Sequence, residues 1–231
     1  MIQSILLILS LLACSSYPAG ESALAALESS DSTIVTTHDK WVSFLPVEPT
    51  TDMGFVFYPG GKVESEAYAP VLRNLADVGI PTYLLYVPRD IATFNSDAAE
   101  KVMDEIQMEG WVVSGHSLGG VTAAKMAYLD DRVVGLSLWA SYAVGKVDLL
   151  DSPIVTQSIA ASEDTVLSQE RYEAGAEKLP VDTEWITIEG GNHAQFGDYG
   201  VQDGDGEATI SPEMQWGYTT DAVINLFQQL D

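Results

Sequence analysis

The sequence predicts an α/β fold, with one mostly parallel central sheet, helices on both faces and no cap domain. Three observations carry that expectation. The continuous apolar runs GFVFY (54–58), TYLLYV (82–87) and VVGLSLW (133–139) read as strands buried on both faces. Segments with apolar residues at three- and four-residue spacing lie between such runs, as crossover helices require. At 111–124 the stretch WVVSGHSLGGVTAA passes from strand through a tight turn directly into a small-residue helix. The length of 231 residues suits one domain with a single substantial core.

The chain opens on MIQSILLILSLLA (1–13), too short to span a bilayer and of the length of a signal-peptide core. Leu11-Leu12-Ala13-Cys14 resembles a bacterial lipobox, which makes Cys14, the one cysteine of the chain, the expected lipidated residue of an exported, membrane-anchored protein. It departs from that pattern in having no Lys or Arg before the apolar run and a bulky Leu12. An ordinary cleaved signal, giving a periplasmic or secreted protein, is the alternative. Residues 14–32 are expected as a polar tether with a short helix near Glu21–Glu28, and residues 33–231 as the folded domain.

Ile34–Thr37 and Trp41–Leu45 read as a leading edge hairpin. After GFVFY and the turn Pro59-Gly60-Gly61-Lys62, a helix is signalled by Tyr68, Val71, Leu72, Leu75 and Ala76, and ended by Gly79 and Pro81. A second helix runs from Ser96 or Asp97 to Gln107, with Asp97 as candidate cap, and a third over Leu118–Tyr128. Ile154–Ile159 and Trp185–Ile188 are the last strands, with a helix marked by Tyr172, Ala176 and Leu179 between them. Met214–Leu230 closes the chain, capped by Ser211 with Pro212 at its first position. About a dozen residues separate the strand ending near Ala140 from the next, an ordinary connection and too short for an inserted lid. The site is therefore expected to be open and shallow, unless 197–210 folds over it.

The charge balance is extreme, with 10 Lys and Arg against 34 Asp and Glu and a net charge of −24. Such a surface repels phosphate backbones and excludes nucleic acid as a partner.

The chemistry centres on Gly115-His116-Ser117-Leu118-Gly119. In a G-x-S-x-G elbow the serine sits in a strained backbone conformation, exposed at the carboxyl end of a strand, and a Cβ on either flanking glycine would clash. A serine hydroxyl needs a base to take its proton, and histidine suits that task near neutral pH. The chain has three histidines. His116 is pinned within the turn, and His38 precedes the serine, against the Ser, acid, His order of such sites. That leaves His193, in Glu189-Gly190-Gly191-Asn192-His193 just past the last strand. An acid must orient the base, and Glu163 and Asp164 follow the preceding strand. Asp164 is preferred for its shorter arm, Glu163 is second, and Asp148 and Asp151 are distant alternatives. Oxyanion donors are expected from the Leu118 amide and from the loop after GFVFY, with Gly61 first and Lys62 next. The acidic run QFGDYGVQDGDGEATI (195–210) does not meet Ca²⁺-loop spacing, and no metal site is expected there. It is read as a solvated loop that edges the cleft through Phe196 and Tyr199.

The segments GFVFYPGGKVESEAYAP, WVVSGHSLGG, GLSLWASY and IEGGNHAQFGDYG together resemble a family of small, capless bacterial α/β-hydrolases related to dienelactone hydrolases and carboxylesterases. The likeness covers residues 52–230, and the GGNHAQFGDYG run is its most specific part. It implies Ser117, Asp164 and His193 as a catalytic triad, in agreement with the reading of the residues. Ser117 stands where dienelactone hydrolases carry cysteine, so their substrate does not transfer. The expectation is hydrolysis of a small-molecule ester through an acyl-enzyme, with no cofactor. An acyltransferase or peptidase on the same triad, or a binding protein on a decayed site, is the alternative.

Overall fold

The computed structural model describes residues 16–230, so Cys14 and the apolar run 1–13 lie outside the described residues. One sheet contains β1 (Thr33–Thr37), β2 (Trp41–Pro46), β3 (Met53–Tyr58), β4 (Thr82–Leu85), β5 (Gly110–His116), β6 (Val133–Trp139), β7 (Val155–Ala161) and β8 (Glu184–Ile188). Their spatial order is β1-β2-β4-β3-β5-β6-β7-β8. The pairs β1–β2 and β2–β4 are antiparallel, and every other pair is parallel. The carboxyl ends of β3, β5, β7 and β8 therefore share one edge, the edge at which open parallel sheets place their sites.

The helices are α1 (Glu21–Ala25), α2 (Ala69–Asp77), α3 (Ala98–Glu105), α4 (Leu118–Leu129), α5 (Gln169–Ala176) and α6 (Pro212–Gln228). Side chains of a strand alternate between faces, and here both faces are apolar. Phe55 and Phe57 join Leu72 and Leu75 of α2 and Val223, Leu226 and Phe227 of α6 in one core. Val56 and Tyr58 join Val102 and Met103 of α3 and Ala123 and Ala124 of α4 in the other. Small residues on α4 let that helix lie close to the sheet beneath the turn it follows.

Boundaries shift where local chemistry dictates. β4 stops at Leu85, two residues before the apolar run ends, and Pro88 then opens a 3-10 turn. β5 runs on to His116, because Gly115 and His116 themselves pair with Leu138 and Trp139 of β6. The α6 start follows its signals, with Ser211 Oγ accepting from the Met214 amide and Pro212 in the first turn. Asp97 precedes α3 but makes no side-chain cap, and its carboxylate instead pairs with Lys101 at 2.9 Å. Between β6 and β7, residues 140–154 form no helix or strand. No described helix is long and apolar enough to cross a membrane.

The segment expected as a free tether is docked over residues 16–30. The Tyr17 amide donates to the Lys62 carbonyl and its own carbonyl accepts from Glu64, so Tyr17 bridges to Val63. The Ser16 hydroxyl bonds the Asp90 carboxylate. Asp198 holds α1, its carbonyl accepting from Gly20 and its Oδ2 from the Ala23 amide at 2.8 Å. Ala23 is fully buried, and the Tyr17 and Tyr199 rings meet at 5.7 Å. The polar composition of this strap concealed a packing role carried by backbone groups and one aromatic ring.

Candidate active site

Ser117 is the residue at which β5 becomes α4, with φ 51° and ψ −121°. Such a conformation is unfavourable for a residue with a Cβ and persists only where surroundings fix it. Its amide donates to the Trp139 carbonyl at 2.9 Å, and its carbonyl accepts from the Ser141 hydroxyl at 2.7 Å. The flanking glycines are sterically required. A Cβ on Gly119 would lie 2.2 Å from the Tyr58 carbonyl oxygen, and one on Gly115 would lie 2.4 Å from the Gly119 backbone.

At the ends of β7 and β8 the structure brings Asp164 to His193. Asp164 Oδ2 accepts from His193 Nδ1 at 2.7 Å, and both side chains are buried. Asp164 Oδ1 takes the amides of Val166 and Leu167, each at 2.8 Å, which fixes the carboxylate plane. With Nδ1 committed to the carboxylate, His193 presents Nε2 to the cleft as an acceptor. Glu163 is turned away and accepts from the Ser162 hydroxyl. Asp148 caps the Leu150 amide in the link after β6. His38 is exposed at the β1–β2 turn, where it bonds Ser43 and its ring meets that of Trp41 at 5.2 Å.

Two supports of His193 had no signal in the motif. Gln215, fully buried on α6, grips Asn192 at both ends, with Oε1 accepting from its amide at 3.0 Å and Nε2 donating to its carbonyl at 2.8 Å. Gly191 leaves room for that grip, since a Cβ there would lie 2.4 Å from Gln215 Oε1. Asp205 ties the two loops together. Its Oδ2 accepts from the Ala194 amide at 2.8 Å and its Oδ1 from the Thr165 amide at 3.4 Å. Thr165 Oγ1 returns a bond to the Gly204 carbonyl, and Asn192 Nδ2 one to Gly206. The run expected as a solvated loop is thus a clamp between the residues that follow Asp164 and His193. A polar residue on the inward stripe of α6 was the one available hint of Gln215.

The loop after β3 approaches the start of α4. A Cβ on Gly61 would lie 3.1 Å from the Leu118 side chain. Neither the Gly61 nor the Leu118 amide donates to another described residue, whereas Gly60 donates to the Tyr68 hydroxyl and Lys62 to the Asp90 carbonyl. Of the loop amides weighed from the sequence, Gly61 is the one left free. Beneath the loop, the Tyr68 hydroxyl meets His116 Nδ1 at 2.8 Å. The phenol oxygen accepts from Gly60, and Nδ1 is the one acceptor that meets its own proton among the described residues, so the hydroxyl donates to Nδ1 and His116 carries its proton on Nε2. Burial, and then the neighbouring His193, hold the His116 pKa well below the ordinary imidazole value. Burial likewise pushes the Tyr68 phenol far up, so it remains a donor. The His116 and His193 rings are 4.4 Å apart.

Ser117 and His193 line one cleft of about 180 Å³, walled by Leu118, Val121, Tyr142, Val166 and Leu167. Its walls come from α4 and from the links after β6 and β7. Phe196 and Tyr199, expected at the rim, are buried instead. Phe196 packs on His116 and Trp139, and Tyr199 on Tyr68 and Tyr17. Their aromatic surface is satisfied by the core, and residues 197–210 do not cover the cleft.

The sequence matches the profile of the Alpha/beta hydrolase family over residues 54–217. Among solved structures the fold is similar to that of TT1662 from Thermus thermophilus, with a TM-score of 0.59, 14% identity, and coverage of 84% of this chain and 98% of that one. It is also similar to a protein of Agrobacterium vitis S4 with the provisional designation hydrolase, with a TM-score of 0.58, 13% identity, and coverage of 84% and 97%. At such identities the likeness concerns the fold. No curated protein matches the sequence. The matched segment includes the loop after β3, the β5–α4 turn, and the Asp164 and His193 loops, and the sheet has the strand order and the mostly parallel pairing described above. By sequence and by architecture, the chain belongs to the Alpha/beta hydrolase family.

Proposed function

We propose that this protein is a serine hydrolase that cleaves a small carboxylic ester through an acyl-enzyme. One observation carries the reading: a serine held at φ 51° shares a cleft with a histidine whose Nδ1 is committed to a buried carboxylate. In the first half-reaction Ser117 Oγ attacks the ester carbonyl while its proton passes to His193 Nε2. Asp164 keeps the ring in the required tautomer and stabilises the imidazolium. The Gly61 and Leu118 amides donate to the oxyanion. Collapse expels the alcohol, which takes the proton back from Nε2. In the second half-reaction water gives its proton to Nε2 and attacks the acyl carbon, and Ser117 departs with that proton as the acid is released. Each half-reaction returns His193 to neutrality, and no metal or organic cofactor enters the balance.

The cleft of about 180 Å³ is below the few hundred Å³ of a drug-sized pocket, which supports a small reacting group rather than a peptide. The test is Ser117→Ala. Hydrolysis of p-nitrophenyl acetate and labelling by a fluorophosphonate probe should both vanish while the circular dichroism spectrum is unchanged; retained hydrolysis would overturn the assignment. His193→Ala should lose on the order of 10⁴-fold, because triad members act as a unit.

The same reading includes export and a lipid on Cys14. Cys14 is three residues from Tyr17, which is bonded to the loop bearing Gly61. A lipid there would hold Tyr17, and the loop bonded to it, within about 11 Å of chain from its anchor. Cys14→Ser should release the protein from the membrane fraction, and an unchanged distribution would remove the anchor from the proposal.

A further inference from the structure

A second, larger groove of about 330 Å³ lies beside the cleft, with Val121 lining both. It follows α4 away from Ser117, along Val121, Lys125 and Leu129, and is closed on the other side by Val144, Lys146 and Val147. Residues four apart on a helix share a face, so the three α4 side chains make one stripe. Leu129 is 63% exposed and Val144 39%, an apolar surface left open to solvent.

The charges of this groove run against those of the molecule. Of 44 charged side chains, 34 are acidic, yet the groove is lined by two lysines and by no Asp or Glu. Neither lysine is within an ion pair. Lys125 Nζ reaches only the Ser96 hydroxyl at 3.3 Å, and Lys146 has no bonded partner among the described residues. By contrast Arg73, Lys101 and Arg132 each pair with an aspartate. Two further cations face the same link. Lys178 donates to the Gly145 and Val147 carbonyls, and Arg171 to the Tyr142 hydroxyl. In a strongly anionic protein, a local positive window beside the reacting serine attracts the substrate anion that the remaining surface repels.

Resting on the serine-hydrolase reading, we propose that the groove binds the acyl arm of the substrate, and that this arm is apolar and ends in a carboxylate held by Lys125 and Lys146. The substrate class is then a half-ester of a dicarboxylic acid. Assignment to the acyl side follows from His193. The leaving oxygen must lie beside the general acid, on the side of the cleft walled by His193, Val166 and Leu167, whereas the groove opens beyond Val121. Length follows from the helix. Lys125 is eight positions beyond Ser117, a rise of about 12 Å, which suits an extended arm of medium length.

The experiment compares mono-p-nitrophenyl suberate with p-nitrophenyl octanoate, which share leaving group and chain length and differ by the terminal carboxylate. The wild type should favour the suberate in kcat/KM by roughly tenfold, the scale of two partly exposed ion pairs, and added salt should erode the preference. Lys125→Glu with Lys146→Glu should invert the ratio, and the milder Lys125→Gln with Lys146→Gln should bring it near one. The ratio is internal to each variant, so a loss of folded protein does not imitate the effect. A wild-type ratio near one with both esters turned over would overturn the inference alone, as would a ratio unmoved by either double variant. A wild type that hydrolyses neither these esters nor p-nitrophenyl acetate would overturn the serine-hydrolase reading, and the inference with it.

Discussion

The Tyr68 hydroxyl donates to His116 Nδ1 across 2.8 Å, deep under the loop that carries Gly61. Through the Gly60 amide on one side and the His116 ring against His193 on the other, one phenol couples the Gly61 loop to His193. Tyr68→Phe would leave a buried amide and a buried ring nitrogen without partners. The folded state should lose about 1–3 kcal/mol, read as a lower urea midpoint. With the loop less well placed, kcat should fall roughly tenfold. An unchanged midpoint and an unchanged kcat would show that the phenol positions nothing.

The buried imidazole makes a pH signature. In the folded protein, desolvation and then His193 keep His116 neutral well below the ordinary value of 6.5. In the unfolded chain the same ring takes up a proton near that ordinary value. Below it the unfolded state binds the extra proton, so stability falls as pH falls. The contribution is fully present above pH 6.5 and is lost below it, at up to about 1.4 kcal/mol per pH unit. Urea denaturation of the wild type and of His116→Gln at several pH values reads this directly. The wild type should show the steeper fall on the acid side, and parallel curves would contradict the assignment.

Asp205 offers a test of the clamp between the Asp164 and His193 loops. Asp205→Ala removes the acceptor for the Ala194 and Thr165 amides, and misplacement of His193 should lower kcat by on the order of 10–100-fold with KM little moved. Asp205→Asn keeps an oxygen for Ala194 and should recover part of the loss. Asp203→Ala, at an exposed position of the same loop, should behave as the wild type. Equal effects at Asp203 and Asp205 would mean that loop charge, and not the clamp, is at work.

The fold was legible because its signals are local and repeated. Apolar strands such as GFVFY and VVGLSLW, helices with three- and four-residue spacing, and turn chemistry at Gly79, Pro81 and Ser211 all point to one architecture. The glycines around Ser117 were legible for a steric reason, since the elbow admits no Cβ at Gly115 or Gly119. Asp164 and Glu163 are not separated by local pattern, because adjacent carboxylates differ only in arm length and in where the backbone aims them. The amides of Val166 and Leu167 aim Asp164 at His193 and leave Glu163 to Ser162.

By itself the sequence determined the layer order, the position of the serine turn and the identity of the residues available for its chemistry. These depend on periodicity, on steric exclusion and on chain order, which are properties of neighbouring residues. Only the tertiary structure decided what surrounds them. Tyr68, Gln215 and Asp205 come from separate elements to hold Gly60, Asn192 and Ala194, and Phe196 and Tyr199 are drawn into the core instead of onto the rim. Residues 16–30 are polar enough to read as a tether, yet they dock through the backbone of Tyr17 and the carboxylate of Asp198. The contact between Ala23 and Asp198 joins residues 175 positions apart, and no local pattern records it. Such contacts arise where a buried donor must find its acceptor once the sheet has closed.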